Sequence, residues 1–96
     1  MNIEKKFPID RCYFLRKVDE LGRLVIPIEI REELKIKEND IINISIAKKN
    51  FRAKVDAIGR IIIPIEIRNE LDIKVADTLK VYIENKNIIL ENKYII

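Results

Sequence analysis

The chain has 96 residues and a formal charge of +3, from 19 Lys and Arg against 16 Asp and Glu. That length suits one small domain, and so slight a charge excess excludes a basic tail, so a polyanion would have to be held by cations gathered on one face. One cysteine and no histidine exclude an internal disulfide and a Cys/His zinc site.

Residues 1–13 form an N-terminal extension with no counterpart later in the chain. It lacks the apolar run of a secretory signal, and no stretch approaches the ~20 apolar residues of a membrane helix. A soluble, cytoplasmic protein is therefore expected. Phe7-Pro8-Ile9-Asp10 predicts a turn, followed by an extended entry through Cys12 into a β-rich run, Tyr13–Val18. Asp19-Glu20-Leu21-Gly22 predicts a tight reversal, because aspartate closes an Asx-type turn and glycine supplies the positive φ. Leu24-Val25-Ile26 has the β-branched enrichment of a buried strand. Pro27 suits the first position of a helix, with Glu29 in its first turn where the dipole favours anions. Ile30 and Leu34 give that helix a buried stripe about two turns long. A polar link, Lys35–Asp40, leads to a third strand, Ile41–Ile46, and to a turn at Lys48-Lys49-Asn50.

From here the chain repeats itself. Lys17–Arg31 returns as Lys54–Arg68, and aligning 16–46 with 53–83 gives 17 identical pairs out of 31. The second copy has its own strand (Phe51–Val55), turn (Asp56–Gly59), buried strand (Ile61–Ile63), proline-led helix (Pro64, Ile67, Leu71) and third strand (Leu79–Ile83). Leu79, Val81 and Ile83 alternate onto one face of that strand. Copy two then adds a turn at Asn85-Lys86-Asn87 and a fourth strand, Ile88–Leu90. Copy one has no fourth strand of its own, since Phe51 already opens copy two. Strand 51–55 is expected to serve both copies, and the N-terminal extension is the candidate to fill the vacancy. A free unit of this size is too small to bury a useful core alone, and two units are fewer than a solenoid needs. The expectation is one domain over 1–96, built from repeats at about 14–50 and 51–92. Its fold class is a small, mainly-β (α+β) pseudo-two-fold barrel with two short helices.

Catalytic constellations are missing. There is no histidine base and no Gly-rich phosphate loop, and Ser45 has no base beside it. Cys12 reads as an inert buried thiol, and the helix glutamates as a solvated face. No enzyme activity, cofactor or metal is expected. The recurring cations say more. Arg23 and Arg60 follow the turn glycines, Arg31 and Arg68 sit four residues after the prolines, and Lys17 and Lys54 close the first strands. Packed about a two-fold axis they become matched pairs, which suits the symmetric phosphates of duplex DNA. The plainer reading is a set of surface cations paired locally, such as Arg68 with Asp72 at i,i+4.

The run Phe14 to Arg31 resembles the DNA-binding domain of the AbrB/SpoVT transition-state regulators, and the same pattern covers 53–92. The resemblance implies a swapped-hairpin β-barrel and a bacterial transcriptional regulator, acting as a repressor by occupying promoter DNA at the nucleoid. It implies DNA contacts at Arg16, Arg23 and Arg31 in copy one and at Arg60 and Arg68 in copy two. The recurring Lys17 and Lys54, and Arg52 beside Ala53, are expected on the same DNA face from the residues themselves. Ala53 stands where Arg16 would recur. A glycine that often ends the family's helix is Lys35 in one copy and Asp72 in the other, which strains Lys35 more if that site needs positive φ. Duplex DNA is the expected partner, with self-association or association with related proteins beside it. The alternatives are a MazE-like antitoxin, which shares the barrel, and an interaction module that does not bind DNA.

Overall fold

A computed structural model describes residues 13–92. Its elements run β1 (Tyr13–Lys17), β2 (Arg23–Val25), α1 (Ile28–Glu33), β3 (Ile41–Ile46), β4 (Lys49–Lys54), β5 (Arg60–Ile62), α2 (Ile65–Glu70), β6 (Thr78–Glu84) and β7 (Asn87–Asn92). The expected Phe7–Asp10 turn, Cys12 and the part of the extension before Tyr13 lie outside the described residues.

The two copies are interleaved. β1 of copy one pairs antiparallel with β6 of copy two, Lys17 opposite Thr78. β4, the first strand of copy two, pairs with β3 of copy one, Lys54 opposite Ile41. Each register is the 37-residue image of the other (17 to 54, 41 to 78), so β4 occupies the first-strand position of copy two. It is joined to β3 by the hairpin turn as well, and thus both ends copy one and begins copy two. β2 and β5 form a separate two-stranded ribbon, Leu24 opposite Ile61. These exchanges make the swapped-hairpin architecture. The larger sheet has the order β1-β6-β7-β3-β4. β7 lies antiparallel to β6 along its whole length and parallel to β3 only across Ile44–Ile46. The single fourth strand therefore contacts both copies.

The core follows from alternation. Leu79, Val81 and Ile83 of β6 and Ile88 and Leu90 of β7 are buried, as are Ile44 and Ile46 of β3. Leu24 and Ile61 seal the ribbon from below at 1% exposure each. Among the described residues no polar or charged side chain is buried. α1 buries Ile30 completely, whereas Ile67 of α2 is half-buried.

Three expectations are corrected. Pro27 and Pro64 sit at the N-caps, one residue before the helices, with φ of −53° and −55° and ψ of 143°. The extended ψ makes proline the last non-helical residue, and the Pro27 carbonyl accepts the first helical bond from Arg31 N–H at 3.0 Å. The first hairpin turns at Ala47–Lys48 (φ 49° and 67°), while Lys49 and Asn50 belong to β4. Positive φ at both loop positions gives a two-residue turn whose twist matches the strands, and this lets Ile46 and Ser45 pair with Lys49 and Asn50. Asn85–Lys86 (φ 52° and 67°) repeats that geometry. The predicted Arg68–Asp72 pair does not form: Asp72 binds Lys74 at 2.8 Å, and Arg68 turns to a backbone carbonyl. Lys35 and Asp72 do adopt positive φ, 58° and 57°.

Candidate nucleic-acid interface

The turn before the ribbon is built by one aspartate. Asp19 Oδ1 accepts from Leu21 N–H at 3.0 Å and Arg23 N–H at 2.7 Å, while Oδ2 accepts from Arg23 Nε at 2.7 Å. Copy two repeats this with Asp56, Ile58 and Arg60 at 3.0, 2.8 and 2.6 Å. These hydrogen bonds outweigh partial desolvation, which acts the other way and is the larger single influence, and hold both carboxyls below the ordinary 3.8. A carboxyl whose pKa is lowered by folding contributes stability above its unfolded value and loses it as pH falls through the folded one. Acidification down to about pH 4 should therefore leave both turns intact, and loosening should begin below 3.8. Carboxyl titration by NMR should give Asp19 and Asp56 midpoints below 3.8, and midpoints at or above that value would refute the clamp.

Arg31 and Arg68 are placed by the interleaving. Arg31 Nε donates to Ile26 O and Arg68 Nε to Ile63 O, both at 2.8 Å. Each guanidinium then lies against the turn glycine of the opposite copy, Arg68 over Gly22 and Arg31 over Gly59. A Cβ on either glycine would stand 2.7 Å from Nη1 of that arginine and nearer still to Cζ. Both glycines also have positive φ, 78° and 85°. They are needed twice over, for backbone conformation and for this approach. Gly22→Ala should cost about 1–3 kcal/mol and displace the Arg68 guanidinium. Urea denaturation and the Arg68 Nε–H resonance check this; wild-type values for both would overturn it.

The result is two clusters, Arg23 with Arg68 and Arg60 with Arg31, each drawing one arginine from each copy. They lie about a pseudo-dyad through the Leu24–Ile61 pair. Since Leu24 and Ile61 face the core, Arg23, Val25, Arg60 and Ile62 face outward. Arg23 and Arg60 are diagonal neighbours across the ribbon. All four guanidinium groups are anchored through Nε, and among the described residues their terminal nitrogens donate no hydrogen bond. Ile62 is 54% exposed on this face, and Leu21 and Ile58 project from the turn tips.

The other expected cations are distributed differently. Lys17 and Lys54 are exposed at the ends of β1 and β4, two residues before the turn aspartates. Arg52 is exposed on β4 opposite Asn43, away from the ribbon. Arg16 occupies a core-facing register matching buried Ala53, and its half-exposed side chain lies 5.9 Å from the Phe14 ring and donates to Leu15 O. The packing of each helix arginine onto the opposite glycine was not anticipated. The recurrence of Gly and Arg at the same positions in both copies was its only trace in sequence. Among the described residues no group of three His, Cys, Asp or Glu could hold a metal ion, and no helix is long and apolar enough to cross a membrane.

Comparison with known proteins agrees with this geometry. The family described as "Antidote-toxin recognition MazE, bacterial antitoxin" matches over residues 15–50 and again over 52–94. The chain belongs to this MazE/AbrB family. The transition state regulatory protein AbrB of Bacillus subtilis (strain 168) is 59% identical over 32 residues, a third of this chain and a third of that regulator's length. The solution structure of PHS018 from Pyrococcus horikoshii superposes with a TM-score of 0.59 at 24% identity, covering 71% of this chain and 83% of that one, and bears on the fold alone. The N-terminal domain of Helicobacter pylori LlaJI.R1 superposes at 0.54 with 25% identity, covering 82% and 78%.

Proposed function

We propose that this MazE/AbrB-family protein is a DNA-binding transcriptional regulator that docks the β2–β5 ribbon on duplex DNA and represses by occupying promoter sites. The observation that carries the reading is the set of four Nε-anchored guanidinium groups about the Leu24–Ile61 pseudo-dyad. A two-stranded ribbon fits the major groove, and phosphates are arranged symmetrically about a base-pair dyad. Anchoring through Nε leaves the terminal N–H groups with no hydrogen-bond acceptor among the described residues, which suits them to phosphate or guanine contacts. Ile62 and Val25 supply apolar surface of the kind that meets thymine methyls. Because those two residues differ in size, the two halves read their half-sites unequally. Such a protein works at the nucleoid, in the cytoplasm, and needs no cofactor.

Titration of duplex DNA at several salt concentrations tests the reading. Four phosphate contacts predict a slope of log affinity against log salt of about −3 to −4. Absent binding, or binding indifferent to salt, would sink it. The family description favours a second reading, an antitoxin. A stoichiometric complex with a co-expressed toxin, without a DNA shift by the chain alone, would select it.

A further inference from the structure

The chain leaves α1 in the same way that it leaves α2. Ile36 N–H donates back to Arg31 O and Ile73 N–H to Arg68 O, both at 2.8 Å. Lys35 and Asp72 take the positive φ that such a helix end requires. What surrounds the two ends differs. Beside α1 lies a cavity of about 330 Å³ lined by Ile28, Arg31, Glu32, Lys35, Ile36 and Lys37. Ile28 is 53% exposed and Ile36 half-buried, so the cavity has an apolar floor open to solvent. Arg31 is engaged only through Nε, and among the described residues Lys35 and Lys37 form no ion pair. In copy two the corresponding features cancel. Ile73 is 7% exposed, and Asp72 stands in the place of Lys35 and binds Lys74 at 2.8 Å.

We infer that the cavity beside α1 is a binding site for a small organic anion, a monocarboxylate with a short apolar body. Three features select that class. The volume lies at the lower end of the range for small-molecule sites, about 300–1,000 Å³, which suits a body of a few carbons. The wall sets three cations, Arg31, Lys35 and Lys37, against one carboxylate, Glu32. The excess attracts an anion, and Glu32 disfavours a second negative charge on it. The forked donors of Arg31 match a carboxylate, and Ile28 and Ile36 offer apolar surface for the body to cover. Arg31 also belongs to the cluster with Arg60, so a bound anion competes with a DNA phosphate for one guanidinium. That consequence rests on the DNA-binding reading, whereas the site itself does not.

Methyl NMR on the full chain tests the site without DNA, with hexanoate as the probe. Saturable shifts are expected at the Ile28 and Ile36 methyls, while those of Ile65, Ile73, Leu24 and Ile61 hold still. Inorganic phosphate supplies only the charge and 1-butanol only the apolar body, so each should bind about tenfold more weakly or worse. Lys35→Asp should weaken hexanoate by about tenfold or more. Its backbone is not at issue, because Asp72 already adopts the same conformation in copy two. Shifts that never saturate, equal shifts at Ile65 and Ile73, phosphate binding as tightly as hexanoate, or wild-type affinity in Lys35→Asp would each overturn the site. At constant ionic strength hexanoate should also weaken duplex binding by the wild type and leave Lys35→Asp unaffected; an equal loss in both would break the link to Arg31. A chain that binds hexanoate in this way and no duplex would support the site and count against the DNA reading alone.

Discussion

Replacing Arg23 and Arg60 together by alanine should weaken binding to duplex DNA across sequences and flatten its salt dependence, with the chain still folded. A charge-assisted hydrogen bond contributes about 1.5–3 kcal/mol, so each lost phosphate contact costs roughly tenfold or more in affinity. Two fewer contacts lower the magnitude of the salt slope by about 1.8. Stability should change little. The Asp19–Arg23 and Asp56–Arg60 pairs are half-exposed, where solvent screening makes such pairs contribute little, and both aspartates keep their backbone donors. Arg31 and Arg68 are poorer probes, because removing them also empties the space over Gly59 and Gly22 and frees two carbonyls. Arg52→Ala, away from the ribbon, serves as the control and should bind almost as the wild type does. Wild-type affinity and slope in the double variant would end the assignment of DNA binding to this face.

The second large effect concerns the pair beneath those arginines. Leu24→Ala and Ile61→Ala should each cost about 2–5 kcal/mol, the usual range for truncating a fully buried aliphatic residue. Both are 1% exposed and face each other across the ribbon. A domain of this kind has only about 5–15 kcal/mol of stability in total, so the double variant should be largely unfolded at room temperature. Ile62→Ala, one residue along and 54% exposed, should change stability by about 0.5 kcal/mol or less. Urea midpoints for the variants provide the measurement. If Leu24→Ala were as stable as Ile62→Ala, the ribbon would not be sealed by this pair.

Much of the molecule is legible in local chemistry. Asp19 and Gly22 specify their turn through side-chain acceptors and a positive φ, both set within four residues. The alternation Leu79, Val81, Ile83 identifies a buried strand face because side chains alternate across a strand. The duplication itself predicts matched pairs of arginines. Lys35 and Asp72 enter the left-handed region at the helix ends, which matches what the family resemblance implies, since a glycine often ends the family's helix there.

What tertiary structure decided are the relations between distant segments. Arg68 against Gly22, and Arg31 against Gly59, depend on one copy threading through the other. No spacing within a copy encodes that approach. The same holds for Arg68 choosing the Ile63 carbonyl over Asp72: Asp72 at φ 57° has left the helix and turned to Lys74. The missing strand of copy one was visible as a gap, but only the pairing of β7 with both β6 and β3 shows how far the gap is closed. By itself, then, the sequence determined the repeat, the turns, the buried faces and the kinds of charged residue available. It did so because these depend on neighbours a few residues apart. The tertiary structure decided which arginines share a face and which apolar residues stay uncovered, because those outcomes depend on how two nearly identical halves interlock.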